Sequence, residues 1–155
     1  MGLGAPRFEH AQDLILAGLR ERYTPATRAK IPRQWERFAP MIGKVPGQVG
    51  RVSYGVCYNA SPTGQFEYLS GVEVTDSKGI PAELATVRLS AREYAVFTHR
   101  DNVSSIASTI DKIWRDWVPQ AGLKVSSAPC FERYSENFSP KTGVGGIEIW
   151  IPLEV

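Results

Sequence analysis

The chain has 155 residues, 43% of them hydrophobic and 22% charged, with a formal net charge of +2. That suffices for one compact domain with a real core, or for two small intertwined lobes. It does not argue for nucleic acid, because basic residues alternate with acids and no Lys/Arg run occurs.

Other classes fall away on motif grounds. No stretch approaches the roughly 20 apolar residues of a membrane-spanning helix. The start, "MGLGAPRFEH", has no basic segment followed by an apolar one, and Pro6 stands where a myristoylation signal needs Ser or Thr. Cys57 and Cys130 lie far apart in strand-like segments and read as buried free thiols; the two histidines have no ligand spacing. The expectation is a cytoplasmic, reduced protein with no metal and no cofactor.

In chain order, "DLILAGLRER" (13–22) reads as a strand, although its leucines also allow a helix. "TPATRAKIPRQWERFAPMIGKVP" follows, with Thr24–Pro25 as a helix-entry pair and Ile31, Trp35, Phe38 and Ile42 at helical spacing. Pro32 belongs near the start of the regular part, and Gly43 and Pro46 end it. "RVSYGVCYNA" and "QFEYLSGVEVT" flank "SPTG" and predict a hairpin. "LATVRLSAREYAVFTHRD" is one long strand or two short ones broken near Ser90–Ala91. A second helix, capped by Asn102 or Ser104, places Val103, Ile106, Ile110, Ile113, Trp114 and Trp117 on one face, so both tryptophans are expected in the core, as is Trp35. "PCFERYSENF" and "GGIEIWIPLEV" close the chain around "SPKTGVG".

The order strand, helix, strand, strand thus occurs twice. It predicts an α+β fold of two similar units joined into a curved antiparallel sheet, with two helices on one face. Two helices leave the other face for solvent, a partner or a ligand cleft. In the last strand Ile147, Ile149, Ile151 and Leu153 should meet the helices, which turns Glu148 and Trp150 the other way. Glu132 and Tyr134 share one face of "CFERY", and pairing of these two strands would bring Glu132 beside Glu148 on the uncovered side. A half-solvated sheet also shows this alternation, with Glu facing water. Aromatics beside the carboxylates favour a lined pocket instead. A carboxylate there needs a counter-charge. No Lys or Arg of the chain is an obvious partner, although Arg133 and Arg88 could serve, and a ligand cation, aided by aromatic faces, would supply the missing charge. His99 reads as a strand-end hydrogen-bonding residue, and Ser104 and Ser105 lack a nucleophile motif.

The motifs "YGVCYN", "FEYLSGVEV", "YAVFTHRD", "IWRDWVPQAG", "FERY" and "IEIWIPLEV", in this order, resemble the GyrI-like small-molecule-binding domains, also called AraC-type effector-binding domains, whose stand-alone versions include integron-cassette proteins. The likeness runs from about Asp13 to the C-terminus. Asp101 and Asn102 depart from a Gly common in the family before the second helix. The resemblance implies a single domain over 1–155, with pseudo-repeats of about 8–76 and 83–155 around a central cleft. It implies binding of lipophilic, cationic drug-like molecules, and no direct nucleic-acid or membrane contact. The implied ligand-binding residues are Glu132 and Glu148, accompanied by Tyr134 and Trp150, with Tyr54, Tyr58 and Tyr68 from the first half; no catalytic residue is implied. A hydrolase of strained electrophiles using the two glutamates, or a protein-interaction role like that of gyrase inhibitors, are the alternatives. Both monomer and dimer remain compatible.

Overall fold

The computed structural model describes residues 3–139 and 141–154. Among the described residues, eight strands, all paired antiparallel, and two helical segments make up an α+β chain that divides into two compact units. One unit comprises 13–90, the other 1–12 together with 91–155.

In the 13–90 unit, β2 (Leu14–Tyr23), α1 (Ile31–Phe38), β3 (Gln48–Tyr58) and β4 (Phe66–Val74) follow in chain order, then β5 (Ala85–Leu89). The strands lie in the order β3-β4-β2-β5. The entry to α1 is a turn in which the Thr24 carbonyl accepts from the amides of Thr27 and Arg28, and Pro32 sits in the first helical turn, where its missing N–H costs little. Phe38 of α1 packs on Ala17, Val72 and Val74, with Trp35, Ile15 and Leu19 at the margin. Gly18 lies opposite Gly71, and a Cβ at Gly18 would collide with the Ser70 carbonyl oxygen, so this crossing of β2 and β4 requires glycine.

In the other unit, β1 (Arg7–Ala11), β6 (Arg92–His99), α2 (Ile106–Lys112), β7 (Cys130–Tyr134) and β8 (Ile147–Pro152) form a sheet in the order β1-β6-β8-β7. Each unit therefore has the strand–helix–strand–strand core plus one extra edge strand. The break at Ser90–Ala91 is real, and it separates strands of different units: β5 pairs with β2, whereas β6 pairs with β1 and β8.

Asn102 caps the second helical segment: its Oδ1 accepts from the Ser104 amide at 2.9 Å. Beyond α2 the helix widens into a π turn over Ile113–Trp117. Ile113 is fully buried and Trp117 meets Phe97 edge-to-face at 5.0 Å. Trp114 is a correction to the expected stripe: it is 41% exposed, at the edge of the apolar face rather than within it. Ile106, Ile110 and Trp117 cover Ala95, Phe97, Ile149, Ile151 and Leu153, as the alternation in β8 requires. Full burial of a Phe, Ile or Leu side chain such as Phe97, Ile149 or Ile151 is worth about 1.5–3 kcal/mol.

The faces turned away from the helices are not bare. Leu16, Val56 and Leu69 in one unit, and Tyr94, Val96 and Phe131 in the other, are all at most 4% exposed. An apolar residue on either side of the pleat explains the near-continuous hydrophobic runs of these strands. No helix among the described residues is long and apolar enough to cross a membrane.

Candidate functional site

Strand parity separates the two glutamates. In the β7–β8 ladder Glu132 stands opposite Ile149, and Arg133 stands opposite Glu148. Directly paired residues project to the same side. Glu132 and Tyr134 therefore share the helix-side face with Ile147 and Ile149, while Glu148 and Trp150 share the other face with Phe131 and Arg133. The expectation that Glu132 and Glu148 lie together is overturned by a register offset of one residue, which is all it takes to exchange faces.

Glu132 is 7% exposed, and its Oε1 accepts from the Tyr134 hydroxyl at 2.7 Å. Spacing of two along a strand puts both side chains on one face with their tips in reach. Tyr134 in turn packs edge-on against Phe138 at 5.0 Å. Of β7, Cys130 packs on the apolar cluster beneath α2, and Glu132 and Tyr134 project from the same face of the strand. A carboxylate this sheltered is held by charge-assisted hydrogen bonding.

Glu148 has a different setting. Its Oε2 is 2.8 Å from Arg7 Nη2, and its Oε1 accepts from the Trp150 indole at 3.1 Å and lies 3.8 Å from Arg133 Nη1. Of the two arginines that the sequence offers, Arg133 is near Glu148 and Arg88 instead meets Asp13 at 3.4 Å; Arg7 is a partner that the sequence does not mark. Trp150 stacks on Phe131 at 5.3 Å and meets Tyr94 edge-on at 5.4 Å. Burial opposes the charge on Arg7, yet hydrogen bonds to Glu148 and Glu9 outweigh it and raise its pKa above the usual arginine value.

The first-half tyrosines divide likewise. Tyr54 stands opposite Gly71 and Tyr58 opposite Glu67, on the face away from α1. Tyr54 is buried. The Tyr58 hydroxyl is buried, and burial together with the charge of Glu67 raises its pKa against the opposing effect of the neighbouring Arg20. Tyr68 lies on the α1 side, 1% exposed, and its hydroxyl accepts from the Trp35 indole at 2.9 Å. It is a core residue with a structural hydrogen bond.

One polar residue escaped notice in the sequence. Gln34 of α1 is 1% exposed, donates to the carbonyls of Leu19 and Tyr68 and to Ser70 Oγ, and accepts from the Tyr23 hydroxyl. Nothing local in "IPRQWERF" marks it, since glutamine is ordinary on a helix's wet side. His99, by contrast, is the strand-end residue expected: its ring nitrogens meet Thr109 Oγ1 at 2.9 Å and the Asn102 carbonyl at 2.8 Å. Among the described residues no group of three or more His, Cys, Asp or Glu could hold a metal. Neither of two surface depressions, one beside His10 and Glu93 and the other beside Arg20 and Glu83, includes Glu132 or Glu148.

This arrangement belongs to a known class: the chain is a member of the GyrI-like family, whose small molecule binding domain matches residues 4–154. Among individual relatives, it is 30% identical over 135 residues to the transcriptional regulator BrlR of Pseudomonas aeruginosa, a match covering 86% of this chain and 50% of that protein. The chain thus spans about half the length of that regulator. In fold it is similar to SAV2435, solved with tetraphenylphosphonium (TM-score 0.75, 20% identity, 96% of this chain and 93% of that one). It is also similar to an integron cassette protein from the mobile metagenome of Vibrio cholerae (TM-score 0.72, 19% identity, 98% and 97% of the two chains).

Proposed function

We propose that this small-molecule-binding domain takes lipophilic aromatic cations, with Glu132 as the counter-charge and Tyr134 and Phe138 as aromatic neighbours. The observation that carries the reading is the sheltered carboxylate of Glu132, oriented by the Tyr134 hydroxyl. Burying a carboxylate is costly, and the cost is offset by hydrogen bonds and by an adjacent positive charge. A cation with diffuse charge loses little hydration on entering such a site, and ring faces add attraction of roughly 0.5–2 kcal/mol each. The similarity to SAV2435, solved with a cation of this kind, supports the same ligand class.

Calorimetric titration with tetraphenylphosphonium tests this. Saturable binding is expected in the wild type, and Glu132→Gln should weaken it more than tenfold while the variant remains folded. Unchanged affinity in that variant would remove Glu132 from the site.

A further inference from the structure

The residues around Glu148 make a cation site by their chemistry, and the chain itself fills it. In one row across the sheet, Phe131 of β7 pairs with Trp150 of β8, Trp150 with Val96 of β6, and Val96 with Arg7 of β1. Strands lie about 4.8 Å apart, so Arg7 starts two strands, about 10 Å, from Trp150. Val96 is the short side chain between them, and the guanidinium reaches over it. Its carbon then stands 6.0 Å from the centroid of the Trp150 ring, within cation–π range. Nη2 contacts carboxylate oxygens of both Glu148, at 2.8 Å, and Glu9, at 2.6 Å.

Two carboxylates thus converge on one guanidinium. The indole N–H fixes the orientation of Glu148, and Phe131 and Tyr94 fix the indole. Arg133 is the other cation in contact, at 3.8 Å from Glu148. The side chain of Glu148 is 19% exposed and that of Arg7 47% exposed, so the acid is sheltered while its occupant is open to solvent. A structural ion pair needs one acid and one base. Here a second acid, an oriented indole and a supporting aromatic pair surround a base borne on a five-residue edge strand.

We infer that Arg7 is a tethered occupant of a second cation site, and that an external cation of the guanidinium or amidinium class reaches Glu148 and Trp150 by displacing it. The site lies on the strand face opposite Glu132, and the inference does not rest on the function proposed for Glu132. Displacement of Arg7 removes the side-chain tether of β1 while leaving its backbone ladder to β6. Occupancy of the site by an external cation therefore loosens this strand.

Methylguanidinium is the probe, and the Trp150 Nε1–H proton resonance is the local reporter. In Arg7→Ala the probe should move that resonance saturably, at a concentration about two- to fivefold lower than in the wild type. Arg7→Ala/Glu148→Gln should not respond, and sodium chloride at equal ionic strength should have no effect. Equal midpoints in wild type and Arg7→Ala, no response in folded Arg7→Ala, or a response that survives Glu148→Gln would each overturn the inference. Arg7→Gln, which keeps much of the aliphatic stem, replaces Arg7→Ala if the latter does not fold. If neither folds, the wild type decides. The probe must then shift the Trp150 signal and speed amide exchange across Arg7–Ala11, and an unmoved signal overturns the proposal.

Discussion

Gln34 and Glu132 are both large polar side chains buried in a unit of this protein, and they are buried in opposite ways. Gln34 is neutral, and every polar atom of its amide is engaged: three acceptors surround its nitrogen and the Tyr23 hydroxyl meets its oxygen. It joins α1 to β2 and β4 and fixes how they pack. Glu132 is an acid on β7 and accepts a hydrogen bond from a hydroxyl of its own strand. The neutral group closes a network between elements. The acid takes a hydrogen bond from its own strand. Buried polarity alone therefore does not mark a binding site.

The largest expected effect breaks the Gln34 side of this comparison. Gln34→Leu keeps the volume and leaves the Tyr23 hydroxyl, Ser70 and two carbonyls short of a partner. Each buried orphan costs about 1–3 kcal/mol, with relaxation recovering part, so we expect a loss of about 2–4 kcal/mol. Urea unfolding followed by tryptophan fluorescence measures it. The surviving folded fraction should bind tetraphenylphosphonium within twofold of wild type; a parallel collapse of affinity would make Gln34 part of the site.

Next in size is Glu132→Gln. Exchange of a sheltered carboxylate for an isosteric amide removes a desolvated charge, so stability should hold or rise. Affinity for the cation should fall more than tenfold, which is at least about 1.4 kcal/mol. The two substitutions are therefore expected to dissociate stability from binding in opposite directions. If Glu132→Gln unfolds the protein without altering the affinity of what remains folded, Glu132 is a structural residue like Gln34.

Much of the architecture is legible in local pattern. Alternation in "IEIWIPL" assigns Ile147, Ile149 and Ile151 to the core side, and turn residues mark the β3–β4 hairpin and the break at Ser90–Ala91. The site is less legible because it depends on pairing between strands. Parity within β7 and within β8 is visible, but the parity of one against the other is set by the connection from Ser135 to Gly146, and an offset of one residue separates Glu132 from Glu148. Arg7 is hidden for a similar reason. "RFEHA" is too short and polar to announce a strand, and β6, the partner that organises it, lies far along the chain. Trp114 shows a third limit: helical spacing defines a stripe, and the π turn decides which residue at the stripe's edge is left in solvent.

The smallest effect sharpens the contrast between the two glutamates themselves. In Glu148→Gln the amide oxygen still accepts from the Trp150 indole, and the loss is confined to the charge facing Arg7 and Arg133. Arg7 is about half exposed and retains Glu9, so solvent and a second acid take over much of the pairing. Partly exposed ion pairs contribute about 0–1 kcal/mol, and a loss within that range is expected. Tetraphenylphosphonium affinity should stay within twofold of wild type, because this carboxylate is already matched by positive charge on its own face of the sheet. A tenfold loss on Glu148→Gln, with Glu132→Gln unaffected, would reverse the roles assigned to the two acids. The ligand's counter-charge would then lie on the Trp150 face, where Arg7 would have to leave before the ligand could enter.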